Sequence, residues 1–103
     1  MADAGRDHRI SLEMAVELTR RHRRAAGTGA ALGGMLGRTA VEELLQQPGC
    51  AGLRIYLGRD ASDQPTLVLV GVTAAEADLA DGIILDQIFP CPPICGTSSP
   101  LNS

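Results

Sequence analysis

The sequence predicts an α+β fold in which two N-terminal helices pack on a small three-stranded antiparallel meander. Two observations lead to that class. Apolar residues recur at helical spacing as far as Leu45, then alternate or run continuously from Cys50 onward. The later apolar runs are separated by connections of about 8–10 residues, which suits consecutive antiparallel strands rather than βαβ units. At 103 residues, 45% of them hydrophobic, the chain is long enough for one modest core and too apolar for a disordered tail.

Residues 1–10 are polar and are expected to be a flexible N-terminus. Ser11 then suits the N-cap of a helix over 11–25, with Glu13 near the positive end of its dipole. Leu12, Ala15, Val16 and Thr19 form its apolar stripe, widened by Met14 and Leu18, and Glu17→Arg21 is a favourable i,i+4 pair. Arg20, Arg21, Arg23 and Arg24 close it, where cations suit the negative end.

Residues 27–37 hold five of the twelve glycines and read as a flexible connector. Thr39 followed by Glu42 has the spacing of a capping box, opening a second helix with Val41, Leu44 and Leu45 on its buried face. Pro48-Gly49 stops it.

Leu53, Ile55 and Leu57 alternate with Arg54 and Tyr56, the pattern of a half-buried strand. Gly58–Pro65 is a polar turn region, and Thr66–Val72 is apolar throughout, as in a central strand covered on both faces. Thr73–Gly82 is an acidic loop, Ile83–Phe89 the third strand, and Pro90 ends its ladder. Tyr56 and Phe89 are the only aromatics, so the core is aliphatic, with Leu53, Ile55, Leu67, Leu69 and Ile83 as its expected members. The expected organisation is a single domain over 11–95 and a C-terminal tail over 96–103.

Gly49-Cys50-Ala51-Gly52-Leu53-Arg54-Ile55-Tyr56, the Leu67–Val72 strand and Pro90-Cys91-Pro92-Pro93 together resemble a group of short uncharacterised bacterial proteins. These share a helix, a glycine–cysteine opening of a strand, a central apolar strand and a cysteine–proline tail. The resemblance covers roughly residues 40–95 and the Gly27–Gly37 stretch departs from it. It implies one folded domain and no particular activity.

The most unusual segment is Phe89-Pro90-Cys91-Pro92-Pro93-Ile94-Cys95, which holds two of the three cysteines and three of the six prolines. Its C-x3-C spacing fits structural zinc poorly, so Cys50, Cys91 and Cys95 are weak metal candidates and no metal or other cofactor is expected. A Cys50–Cys91 bridge would join opposite ends of a simple meander, about 20 Å apart for six-residue strands. A Cys91–Cys95 bridge is easier if the prolines turn the chain, while reduced, merely apolar thiols are the default for a cytoplasmic protein. Ile94 is the one strongly apolar side chain there and is expected to pack back on the sheet or on a neighbouring subunit.

Charge is uneven: residues 1–39 carry seven arginines against four acids, and residues 40–103 carry two against eight, so the halves attract. Arg20, Arg21 and Arg24 are candidate interaction residues together with Ile94. Overall acidity, at net charge −3, and the lack of aromatics among the arginines argue against nucleic acid. The Gly27–Gly33 spacing is not a dinucleotide loop, because no strand precedes it. Asp60 and Asp63 lack the rest of a calcium loop. No nucleophile has a base nearby in sequence, no small-molecule substrate is evident, and no catalytic residue is assigned. With no apolar leader and no run near the ~18 residues of a membrane helix, a cytoplasmic location without membrane attachment is expected, export by an unconventional route staying open. The expected function is a non-enzymatic, self-assembling association module. A thiol-based metal-binding or redox module using Cys91, Cys95 and Cys50, and a precursor with a modified Cys/Pro tail, are the alternatives.

Overall fold

A computed structural model describes residues 2–102. Met1, of the expected flexible N-terminus, and Ser103, of the expected tail, lie outside the described residues. The chain divides into two compact units, one built on residues 36–88 with residues 2–6, the other on residues 7–35 with 89–102.

The first unit holds helix α2 and the three-stranded antiparallel sheet. The elements of the whole chain, in order, are α1 (Leu12–Ala26), β1 (Gly33–Met35), α2 (Arg38–Leu45), β2 (Gly52–Arg59), β3 (Pro65–Val72), β4 (Ile84–Leu85) and β5 (Phe89–Cys91). The sheet order β2-β3-β4 is the expected meander. Strands β2 and β3 pair along their whole length, from Gly52 opposite Val72 to Arg59 opposite Pro65. Their turn is organised by Asp60, whose carboxylate accepts the Ser62 and Gln64 amides, both at 2.9 Å. Asp63 supplies the left-handed residue at φ 63°, a conformation that Asp tolerates better than most.

Helix α2 packs on β2 and β3 and sinks Leu44 completely, while Leu69 and Val70 of β3 are 5% and 4% exposed. Two details of this helix differ from expectation. It begins at Arg38 with Gly37 as N-cap and no side-chain cap, so the Thr39–Glu42 box does not form; Glu42 instead accepts Arg38 Nε at 2.6 Å. Leu45 faces outward. Helix α1 belongs to the other unit, and within this unit α2 packs on the sheet.

Helix α2 is short relative to the strands it packs on. An eight-residue helix is about 12 Å long and roughly 10 Å wide, whereas an eight-residue strand runs about 26 Å. No orientation of α2 covers the whole hairpin. Leu69 is buried as expected and Leu53, Leu67 and Ile83 are half-buried, but Ile55 is 55% exposed and Leu57 89% exposed.

Gln47 ties the helix end to the approach to β4. Its Nε2 donates to Leu44 O at 2.9 Å and its Oε1 accepts Ile83 N at 2.8 Å. A Cβ at Gly82 would overlap Gln47 Oε1, so a side chain there would displace the amide that holds Ile83 N. Strand β4 covers only Ile84 and Leu85, shorter than the expected 83–89, since Gln87 turns at φ 51° and breaks the extended run. Phe89 onward then pairs elsewhere.

In the second unit, α1 has the expected cap: Ser11 Oγ accepts Met14 N at 3.1 Å, and Gly27, at φ 85°, closes the helix by donating to Arg23 O. None of its residues is buried. The glycine-rich stretch contains strand β1, which pairs antiparallel with β5. Gly33 stands opposite Cys91, Gly34 opposite Pro90 and Met35 opposite Phe89. The expected loose connector is thus partly sheet, and Pro90 sits inside a two-stranded ladder, where an edge position tolerates its missing donor. No helix of the described residues is long and apolar enough to cross a membrane.

Leu69→Ala should cost ~2–5 kcal/mol in urea unfolding, as for a filled core position, whereas Leu57→Ala should stay within ~0.5 kcal/mol while the chain is monomeric. A similar loss at both sites would mean that the covered and open ends of the hairpin are not distinct. Gln47→Ala strips the partner from the Ile83 amide and should cost ~1–3 kcal/mol in the same measurement.

Candidate functional site

The two faces of the β2–β3 hairpin are chemically distinct, and register assigns each side chain to one of them. Directly opposed residues of an antiparallel pair share a face. One face therefore carries Leu53, Ile55 and Leu57 from β2, Leu67 and Leu69 from β3, and Leu85 of β4 opposite Leu69. Burial on it falls from the Leu69 end toward Leu57, at the turn. At the closed end, Cys50, Gln47 and Leu79 converge on Gly71, where a Cβ would lie 3.0 Å from Cys50 Sγ.

The other face is strapped by charge. Beyond Val72 the chain folds back: Thr73 N donates to Ala77 O at 2.9 Å, Leu79 N donates to Gly71 O at 2.8 Å, and Asp78 lies opposite Val72. Asp78 thus lies along the edge of β3 remote from β2. Arg54 and Tyr56 of β2 both reach it, Arg54 through a short ion pair and Tyr56 through its hydroxyl at 2.5 Å. Arg54 also donates to Glu76 O at 3.2 Å. In the register Arg54 stands opposite Val70 and Tyr56 opposite Val68, so Arg54, Tyr56 and Val68 share a face with Val70, which is 4% exposed. The Tyr56 hydroxyl and then the Asp78 carboxylate hold the Arg54 guanidinium above its ordinary pKa.

Strand β2 is bonded to β3 on one side only, so its outer edge has no strand partner among the described residues. An eight-residue edge beside exposed Ile55 and Leu57 is the most conspicuous binding feature of the first unit. A cavity of about 320 Å³ is lined by Gln47, Pro48 and residues 78–82. Its Gln47 amide and Asp78 carboxylate are already engaged within the fold.

The sequence-selected residues fall as follows. Arg20 and Arg21 both pair with Glu17, at 3.6 and 3.3 Å, on the open surface of α1, and Arg24 is exposed. Arg23, which the sequence did not single out from its neighbours, is the half-buried one and donates to Leu101 O at 2.8 Å. No local signal distinguishes it, because its partner lies 78 residues away. Ile94 is 47% exposed within the single chain. Cys91 and Cys95 form a disulfide, with Cα atoms 4.7 Å apart, in place of the reduced thiols taken as the default. Cys50 is free, half-buried, and its thiol lies 3.1 Å from Gly52 O. Among the described residues no group of three His, Cys, Asp or Glu side chains could hold a metal ion.

Tyr56 and Arg54 share one acceptor, so their contributions should be strongly non-additive. In urea unfolding, Tyr56→Phe should destabilise the native chain and have little effect in an Asp78→Ala background. Equal effects in both backgrounds would show that the strap is not a unit. Comparison with family models, curated proteins and solved structures finds no match, leaving the geometry to carry the functional reading.

Proposed function

We propose that the chain is a small non-enzymatic association module that pairs with a second copy of itself through the free edge of β2. The observation that carries this reading is the coincidence of an eight-residue unpaired edge with Ile55 and Leu57, 55% and 89% exposed, on that same strand. An unpaired edge is a template for another strand, and large exposed apolar side chains beside it add area to bury.

A second copy suits this edge by its pattern. Antiparallel pairing about a two-fold axis normal to the sheet sets residues of like face opposite each other. Centred on Tyr56, it places Ile55 of one copy against Leu57 of the other, twice, and extends the three-stranded sheet to six strands. Arg54 then faces Gly58 and Arg59 faces Leu53, so no like charges meet directly. Each fully buried Ile or Leu is worth about 1.5–3 kcal/mol relative to exposure, and part of that gain is available at four side chains.

Light scattering coupled to size exclusion should show the mass rising from the 10.7 kDa monomer toward twice that value with concentration. Leu57→Asp, at an exposed site, should keep the circular-dichroism spectrum and remain monomeric. A native chain that stays monomeric at several hundred micromolar, on the order of the concentrations at which weak edge pairing shows, overturns the proposal. So does a Leu57→Asp variant that associates as the native chain does.

A further inference from the structure

The Cys91–Cys95 bond lies at the junction between a paired strand and a segment held by few contacts. On one side Cys91 is the last residue of β5, opposite Gly33, and its carbonyl accepts Leu32 N at 2.8 Å. On the other side the Cys95 carbonyl accepts Asn102 Nδ2 at 3.2 Å. Asn102 Oδ1 in turn accepts Ser99 N at 2.9 Å, and Leu101 O accepts Arg23 of α1 at 2.8 Å. Between the two cysteines the Ile94 amide donates to Pro90 O at 2.8 Å.

Burial does little to hold this segment. Pro92, Pro93, Ile94, Gly96, Thr97, Ser98, Pro100 and Leu101 are all exposed. The covalent bond and the Ile94–Pro90 turn constrain the position of Cys95, whose carbonyl accepts Asn102. Neither cysteine is fully buried. A cross-link over a separation of four residues removes little chain entropy from the unfolded state, so opening it leaves the remainder of the fold nearly as stable as before.

We propose that Cys91–Cys95 is a thiol-exchange site, and that its reduction by a dithiol frees residues 92–102 from Cys91 at the end of β5 and from Arg23. A thiolate of the dithiol attacks one sulfur, the Cys91–Cys95 bond breaks, and the other cysteine leaves as a thiolate that takes up a proton. The second thiol of the reductant then displaces the mixed disulfide. The products are two cysteine thiols and the oxidised, cyclic disulfide of the reductant.

The test uses the full chain, oxidised or treated with dithiothreitol under native conditions. Alkylation and mass spectrometry count thiols, and amide hydrogen exchange follows each segment. Native dithiothreitol should raise the alkylated cysteines from one to three. The Ile94 and Ser99 amides should then exchange at least tenfold faster, while those of Leu69 and Val70 keep their protection. Cys95→Ser should reproduce the fast exchange without reductant. Exchange that is unchanged by reduction overturns the proposal, as does a disulfide that resists excess dithiothreitol until the chain is unfolded. Three alkylatable thiols persisting after treatment with oxidised glutathione overturn it as well. The Leu57→Asp chain should behave identically, which separates this result from that of self-association.

Discussion

The pairing of Gly52–Arg59 with Pro65–Val72 is the constraint on which the first unit depends. An uninterrupted register of eight residue pairs decides which side chains share a face, and every later contact takes its place from that assignment. A slip of one residue would send Leu53, Ile55 and Leu57 to the strapped face and bring Arg54 and Tyr56 beneath α2. The Asp60 turn prevents it by closing the hairpin through two backbone amides.

Two different chemistries then cover the hairpin. On one face, α2 delivers Leu44 and Gln47, a fully buried apolar side chain and an amide that satisfies backbone groups on both sides of it. On the other, Arg54, Tyr56 and Asp78 form a polar strap across β3. The partly exposed charges of this strap leave it sensitive to salt. The turn end of the hairpin is left open. A core limited, among the described residues, to Leu44, Leu69 and Val70 is small, and large apolar side chains are left outside it.

The second unit is organised by a different principle. Its two-stranded pairing uses glycines on one strand and proline on the other, a combination that forms few side-chain contacts. The unit relies instead on backbone hydrogen bonds, a disulfide and one arginine that reaches from the helix to the C-terminal segment. Structure held in this way can be altered by chemistry at a single bond, which a packed core resists.

The sequence by itself determined the features encoded within a few residues. These are the Ser11 cap and the extent of α1, the stop at Pro48-Gly49, the β2–β3 hairpin with its polar turn, and the mixed helix–sheet class. Their signals are periodicity, capping and turn chemistry, all of which act between near neighbours. Only the tertiary structure decided which apolar positions are covered. Ile55 and Leu57 have the same alternation as Leu53, yet the folded chain leaves them 55% and 89% exposed while Leu69, opposite Ile55, is 5% exposed. It also decided that Gly33–Met35 pairs with Phe89–Cys91, that Arg23 rather than its neighbours holds the C-terminal segment, and that Cys95 lies close enough to Cys91 to bond. Glycine and proline carry the weakest strand signals of any residues, and the choice of a partner remote in sequence is an energetic property of the folded chain, not of either segment alone.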